Sequence, residues 1–98
     1  MSQAAELQTL ILQVLERYNA YNEPKIDLRA GPDTLLFGPG GSLDSMALVH
    51  IVVEVEEEVE NKYGVQLVLA DEKAVSRKLS PFLSVRRFAA YIEELLAA

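Results

Sequence analysis

The chain has no cysteine among its 98 residues and a single histidine, His50. The absence of cysteine excludes disulfides, thiolate metal sites and a cysteine nucleophile, so any thiol chemistry would need a cofactor. A zinc site usually needs several histidine or cysteine ligands, so a single histidine without cysteine does not support one. A serine hydrolase needs a base within reach of its serine, whereas on a helix His50 would be turned about 140° away from Ser45.

The chain also lacks a long apolar run, although half of its residues are hydrophobic. No run approaches the ~18 residues that indicate a membrane span. The start, "MSQAAE", lacks the basic region and apolar stretch of a secretory signal. We therefore expect a cytoplasmic protein without membrane insertion. The stretch "GPGGSLDS", residues 38–45, has no lysine, whereas the phosphate loop of nucleotide hydrolases requires Gly-Lys-Ser/Thr.

Positive charge is scarce in most of the chain, whose net charge is -6. Residues 1–72 hold thirteen acidic and four basic side chains, whereas residues 73–98 hold two acidic and five basic ones. The acidic part disfavours nucleic acid as a partner and favours a basic protein surface. The length predicts a single domain, residues 1–98, with a modest core.

The hydrophobic pattern predicts an all-α fold, a small bundle of three longer helices plus one short helix. Helical spacing near the start predicts a first helix of about five turns, which ends no later than Pro24. A second helix is expected from about Ser45 to Tyr63, with Gly64 closing it in the left-handed conformation. The buried face of the first helix is predicted to comprise Leu7, Leu10, Ile11, Val14, Leu15 and Tyr18.

The segment between these helices is rich in proline and glycine and is expected to form a long loop. Three apolar residues in it, at positions 35–37, are too hydrophobic for water and are expected to pack on the helices in a short turn. Residues 65–70 are expected to form an extended connection. A short helix is expected from Asp71 to about Lys78.

The last helix is expected to begin after Pro81, with Ser84 as its N-cap. Leu83 and Phe88 occupy the two positions of a hydrophobic staple. Arg86 and Arg87 in its first turn oppose the helix dipole. They therefore either pair with acids elsewhere in the fold or help to select a partner. The buried stripe is predicted to comprise Val85, Phe88, Ile92 and Leu95.

The second helix carries apolar residues on two sides. Five of them share one arc and are expected to face the core: Leu48, Ile51, Val52, Val55 and Val59. On the opposite side an apolar strip, flanked and continued by carboxylates, is expected to face partner proteins: Met46, Val49, Val53, Glu56, Glu57 and Glu60.

Two interpretations of this outward side remain. Isolated surface apolar residues are normal, and a glutamate run is usually a solvated helix face. However, like charges such as Glu54 and Glu58 cost about 0.2 to 0.5 kcal/mol per pair, and only Glu58 with Lys62 offers a favourable pair along the helix. The repulsion and the exposed apolar strip together favour a docking surface for basic, partly apolar partners.

A polar elbow precedes the second helix. Gly40 and Gly41 permit a sharp turn, and Ser42, Asp44 and Ser45 lie where a helix has unpaired amide groups. One interpretation makes one of these residues the N-cap and the others turn residues. The other interpretation is that Ser45 carries an anionic group, since a helix N-terminus stabilises a phosphate.

The stretch "LDSMALVHIVVEVEEEV", residues 43–59, resembles the signature of acyl carrier proteins. In that family Asp-Ser-Leu opens an acidic second helix, and the serine bears a 4'-phosphopantetheine arm. The order of elements is similar over most of the chain. The resemblance implies that Ser45 is the attachment site and Asp44 the acid preceding it. It also implies that Met46, Val49, Val53, Glu56 and Glu57 form the surface offered to partner enzymes.

Two positions depart from the family pattern. Met46 replaces the usual leucine, and His50, which is expected to be a surface residue beside the apolar strip, stands where many fatty-acid carriers have glutamate. The resemblance implies a stand-alone carrier protein, not an enzyme, that holds acyl groups as thioesters and serves a specialised biosynthetic pathway.

The partners implied are a phosphopantetheinyl transferase and acyl-loading and acyl-transferring enzymes, and the chain is expected to be a monomer. Two other functions stay open. One is an aminoacyl or peptidyl carrier protein. The other is a helical adaptor that binds a basic partner surface and uses Ser45 only as a cap.

Overall fold

The computed structural model describes residues 2–22, 26–37, 43–69 and 81–97. Helix α1 spans Gln3–Tyr21, a short 3₁₀ turn spans Gly31–Asp33, helix α2 spans Ser45–Tyr63 and helix α3 spans Val85–Ala97. Helix α1 packs against both α2 and α3. The expected all-α bundle is confirmed at this level, as a small helical fold. The short helix expected from Asp71 lies outside the described residues.

Helix α1 has the predicted length of about five turns. Ser2 is its N-cap, and the Ser2 hydroxyl accepts a hydrogen bond from the Ala5 amide at 3.1 Å. At the other end the Asn22 side-chain amide donates to the Tyr18 carbonyl at 2.9 Å. Its core face is confirmed, with Tyr18 half-buried and with Leu7, Leu10, Ile11, Val14 and Leu15 buried.

Helix α2 begins and ends at the predicted residues. Gly64 closes it with φ +68°, a left-handed conformation that favours glycine, and its amide donates to the Glu60 carbonyl at 2.8 Å. The predicted core face is correct except at Leu48, which is half-buried and packs on the edge of the core. The buried members of this face are Ile51, Val52, Val55 and Val59.

Helix α3 begins after Ser84, whose hydroxyl accepts a hydrogen bond from the Arg87 amide at 3.2 Å, as the predicted cap requires. Phe88 packs edge-to-face on Phe82, with ring centroids 5.2 Å apart. Of the predicted stripe, Leu95 is only half-buried, because in the last turns of α3 it reaches just the edge of the core. The buried residues of α3 are Val85, Phe88, Ala89, Tyr91 and Ile92.

The long loop is joined to the start of α3 by backbone hydrogen bonds. The Leu36 amide donates to the Leu83 carbonyl at 2.8 Å, and Leu35 and Ser84 form an antiparallel bridge. The expectation that residues 35–37 all pack on the helices is wrong for Leu35, which is 43% exposed, whereas Leu36 is buried. The physical reason is the extended backbone, which sends successive side chains to opposite sides.

Two further contacts complete the arrangement. Arg86 Nε lies 3.0 Å from Asp33 Oδ1, which confirms for this arginine the expected pairing with an acid elsewhere in the fold. After α2, residues 65–69 have no regular secondary structure, as expected for a connection. In the part of the chain that the structure describes, no helix combines the length and hydrophobicity needed to cross a bilayer.

Candidate functional site

The N-terminal end of α2 is fixed from both sides. Leu43 is buried, and its amide donates to the Leu36 carbonyl at 3.0 Å. Asp44 is the N-cap, with its Oδ1 accepting a hydrogen bond from the Ala47 amide at 2.8 Å. Ser45 is the first residue of the helix. The cap that the sequence left open is therefore Asp44, and Ser45 stands at the amide-rich end of a 19-residue helix.

An apolar strip begins one residue after Ser45. Its members lie at spacings of three and four, and we call them the outer strip: Met46, Val49 and Val53. Met46 is 82% exposed, Val49 58% and Val53 47%. The predicted exposure of the outer strip is confirmed. Apolar residues exposed together on one face are typical of contact surfaces.

Two glutamates of α2 are bound to other side chains of the protein, and we call them the paired acids: Glu54 and Glu58. Arg17 of α1 places its Nη2 2.9 Å from Glu58 Oε1 and 3.7 Å from Glu54 Oε2. His50 Nε2 lies 2.8 Å from Glu54 Oε1. The pairing with Arg17 lies outside the predicted pairs along the helix, because Arg17 is 41 residues away from Glu58 in sequence and spacing along one helix does not reveal it.

The predicted partner-binding acids, Glu56, Glu57 and Glu60, have different surroundings from the paired acids. Glu56 is half-buried, and its Oε1 accepts a hydrogen bond from the Leu69 amide at 3.1 Å, which holds the connection against α2. Glu57 and Glu60 are exposed, and no ion pair to either is found within the described ranges. We call Glu57 and Glu60 the open acids. They remain available to a basic partner.

The apolar surface continues beyond α2. A groove of about 460 Å³ lies between α2 and the connection that follows it, and Val68 on its far side is 71% exposed. Sequence reasoning did not include this valine in the surface, although an apolar residue in a short connection was a usable signal. The groove is lined by Val53, Glu56, Glu57, Glu60, Gln66, Leu67 and Val68.

A second depression adjoins the start of α2. This cleft of about 390 Å³ lies between the end of α1 and the first turns of α2. The ring centroids of Tyr18 and His50 are 6.1 Å apart within it, with the rings tilted by 53°. His50 is exposed, as predicted. The contribution of α1 to this cleft was missed, because the sequence pattern assigns Tyr18 only to the core face.

Among the described residues three side chains, Asp27, Arg29 and Tyr63, have clearly shifted pKa values, and none belongs to the outer strip or the start of α2. Hydrogen bonding to Arg29 lowers the pKa of Asp27 to about 2. Partial burial and a hydrogen bond to Glu6 raise the pKa of Tyr63. Hydrogen bonding to Asp27 in turn raises the pKa of Arg29. Among the residues described, no group of side chains suited to holding a metal ion is present.

Comparisons with protein families, with curated proteins and with solved structures gave no match. The function therefore has to be inferred from the site itself. The site combines a serine at a capped helix start, an exposed apolar strip on the same helix and two open acids beside it.

Proposed function

We propose that this chain is a carrier protein that bears a 4'-phosphopantetheine arm on Ser45 and presents acyl groups to partner enzymes. The observation that carries the proposal is the position of Ser45, directly after the Asp44 cap and directly before the outer strip. The phosphodiester of the arm is an anion, and the amides and dipole of a helix N-terminus stabilise an anion.

The capping geometry is compatible with modification of this serine. Asp44 supplies the capping hydrogen bond to the Ala47 amide, so α2 keeps its cap when Ser45 is modified. Leu43, buried just before it, holds the preceding backbone against the fold. The attachment point thus has a fixed backbone on both sides. A transferase would meet Ser45 at a helix start that Asp44 caps and that Leu43 anchors.

The surface around Ser45 is suited to binding partner enzymes. From Met46 to Glu60 the exposed side of α2 is about 21 Å long, at 1.5 Å per residue. This length would allow one partner to contact both the apolar and the acidic side chains. Basic residues on the partner would be attracted to the open acids, which raises the association rate. The outer strip would supply the apolar contact.

The chemistry of the carrier resides in the arm. The chain has no cysteine, so the thiol that forms the thioester is the one at the end of the arm. In this role the protein holds the arm and offers a docking surface, while bond making and breaking belong to the partner enzymes. Tethering keeps the acyl group at high effective concentration near a docked enzyme.

Transfer of the arm tests the proposal directly. The purified protein is incubated with coenzyme A and a broad-specificity phosphopantetheinyl transferase, and its intact mass is measured. We expect the mass of one phosphopantetheine group to be added to the native chain and to the matched controls Ser42→Ala and Ser2→Ala, but not to Ser45→Ala. An unchanged native mass, or a gain that persists in Ser45→Ala, would refute the proposal.

The nature of the cargo separates two carrier functions. The acidic α2 favours an acyl carrier over an aminoacyl or peptidyl carrier. Mass spectrometry of the loaded protein from its native host distinguishes these, because an amino acid and a fatty acyl group differ in mass and in nitrogen content.

A helical adaptor is the candidate from another class, because the outer strip and the open acids could bind a basic partner without any arm. As an adaptor, the protein would keep its function in vivo with Ser45→Ala and lose it with Glu57→Lys. As a carrier, it would lose function with either change.

A further inference from the structure

The glutamates of α2 lie on two sides of the helix, and the two sides differ in their supply of positive charge. We call the first the groove side, because Glu56, Glu57 and Glu60 line the groove of about 460 Å³ between α2 and the connection. Among the described residues that line this groove there is no lysine or arginine. We call the second the seam side, because the paired acids there contact α1 through Arg17.

Arg17 and His50 together occupy the carboxylates of the seam side. Arg17 Nη2 lies 2.9 Å from Glu58 Oε1 and 3.7 Å from Glu54 Oε2. His50 Nε2 lies 2.8 Å from the other oxygen of Glu54, Oε1. Lys62 adds a further positive charge, since with Glu58 it lines a depression of about 350 Å³ between α1 and α2. A basic side chain of another protein would have to compete with these groups for the paired acids.

We propose that Arg17 is a specificity-determining residue, which masks the paired acids and thereby restricts basic segments of a partner to the groove side of α2. The inference rests on the proposed function, because it concerns the side on which partner enzymes of the carrier bind. A carboxylate with a counter-charge nearby attracts a cation less than an unpaired carboxylate does, because the two opposite fields largely cancel. Partners that present lysine or arginine to the groove side are therefore favoured over partners that present them to the seam side.

The groove side also offers apolar contact to such a partner. Val53 is 47% exposed and Val68 is 71% exposed, and both line the groove together with the open acids. The far wall of the groove is held in place, because Leu69 is buried and its amide donates to Glu56 Oε1 at 3.1 Å. Exposed valines beside unpaired carboxylates fit an amphipathic helix of the partner that carries basic residues along the edge of its apolar face.

Titration with a basic amphipathic peptide tests the inference on the protein without the arm. The probe is a synthetic helical peptide of leucine and lysine residues, added to ¹⁵N-labelled protein at low ionic strength, and binding is followed by amide chemical shifts. For the native chain we expect the largest shift changes on the groove side, at Val53, Gln66 and Val68. We expect small changes at Thr9 and Gln13, which line the depression on the seam side.

Arg17→Gln exposes the paired acids and is the decisive variant. It should tighten binding of the peptide by about two- to fivefold and extend the shift changes to Thr9 and Gln13. Arg17→Lys keeps the positive charge and should bind the peptide as the native chain does, because a single nitrogen of Arg17 makes both contacts.

Arg29→Gln is the matched control for net charge. Arg29 is also paired with an acid, Asp27, so this variant makes the same change in charge and releases a carboxylate that does not belong to α2. It should alter the affinity for the peptide by less than about 1.5-fold. All variants are compared at a temperature where circular dichroism shows them to be folded.

Equal effects of Arg17→Gln and Arg29→Gln would overturn the inference, because net charge and not masking would then set the affinity. Shift changes in the native chain as large at Gln13 as at Val68, or no binding of the peptide, would overturn it as well. None of these results concerns attachment of the arm, which the mass gain on Ser45 decides. Peptide binding as expected without that mass gain would refute the carrier function and assign the masking by Arg17 to a helical adaptor.

Discussion

Val53 and Val55 lie two residues apart on α2 and have opposite environments. Val55 is fully buried in the core, whereas Val53 is 47% exposed on the outer strip. The glutamates of α2 differ in the same way. Glu58 forms an ion pair with Arg17 of α1, whereas Glu57 has no ion pair within the described residues. Position around the helix axis, and not residue type, thus decides whether a side chain of α2 serves the fold or remains available to another molecule.

The two sides of α2 also differ in energy. Each fully buried aliphatic side chain on the core side contributes about 1.5 to 3 kcal/mol to stability. The outer strip contributes less, because its side chains remain 47% to 82% exposed to water. Folding accounts for the valines of the core side. The proposed contact with partner enzymes would account for the apolar character of the outer strip.

Alanine substitution of Val55 and of Val53 should show the difference in stability between the two sides of α2 most clearly. Val55→Ala should lower the free energy of unfolding by about 2 kcal/mol, because it removes buried methyl groups and leaves a cavity. Val53→Ala should change it by no more than about 0.5 kcal/mol. Urea unfolding of both variants measures the difference. Equal losses would mean that the outer strip is part of the core.

The cap and the proposed attachment residue offer the next contrast. Asp44→Ala should cost about 1 kcal/mol of stability, since it removes the hydrogen bond to the Ala47 amide. Ser45→Ala should cost less than about 0.5 kcal/mol. Thermal unfolding of the two variants checks this order. A larger loss for Ser45→Ala would assign the serine a structural role and weaken the carrier proposal.

Removing the contacts of the paired acids and neutralising an open acid should change the stability of the fold in opposite directions. Arg17→Gln removes the contacts to both paired acids and should lower stability by about 0.5 to 1 kcal/mol, since the pairs are partly exposed. Glu57→Gln should raise stability by a few tenths of a kcal/mol, on the order of 0.3, because it relieves repulsion along the helix. Denaturant unfolding at low salt measures both changes. If Glu57→Gln is the more destabilising change, Glu57 must have a partner within the fold.

The smallest effect concerns the end of α2 that faces α1. The Tyr63 hydroxyl donates to Glu6 at 3.1 Å, and partial burial together with this contact raises the pKa of Tyr63 above its usual 10.0. A raised pKa in the folded state means that this stabilisation is complete below about pH 10 and is lost as the pH rises through the folded value. Ultraviolet titration of the phenol should show a lower pKa in Glu6→Gln than in the native chain.

The local part of this structure could be predicted from the sequence. Apolar spacing, an N-cap position and Gly64 defined α2 at both ends, because helix signals act over three or four neighbouring residues. The same spacing predicts that Val53 and Val55 lie on different sides of the helix. Leu35 was assigned wrongly, because its bridge to Ser84 imposes an extended backbone that local composition does not reveal.

Contacts between distant segments could not be predicted. Arg17 with Glu58, Arg86 with Asp33 and Tyr63 with Glu6 join residues 41 to 57 positions apart in sequence. Such pairs depend on how the helices pack, and one sequence with a helical period does not specify that packing. The cleft beside Ser45 was missed for the same reason, since half of its aromatic wall comes from α1.

The central claim is that partner enzymes bind the outer side of α2. Its most direct test is the rate at which the transferase attaches the arm to two charge-reversed variants. Glu57→Lys changes an open acid, and Glu16→Lys makes the same change at an exposed position of α1. With matched folding stability, kcat/KM of the transferase should fall on the order of tenfold for Glu57→Lys and less than about twofold for Glu16→Lys. Equal reductions in the two variants would contradict the account, because they would show that net charge, and not this side of α2, guides the enzyme.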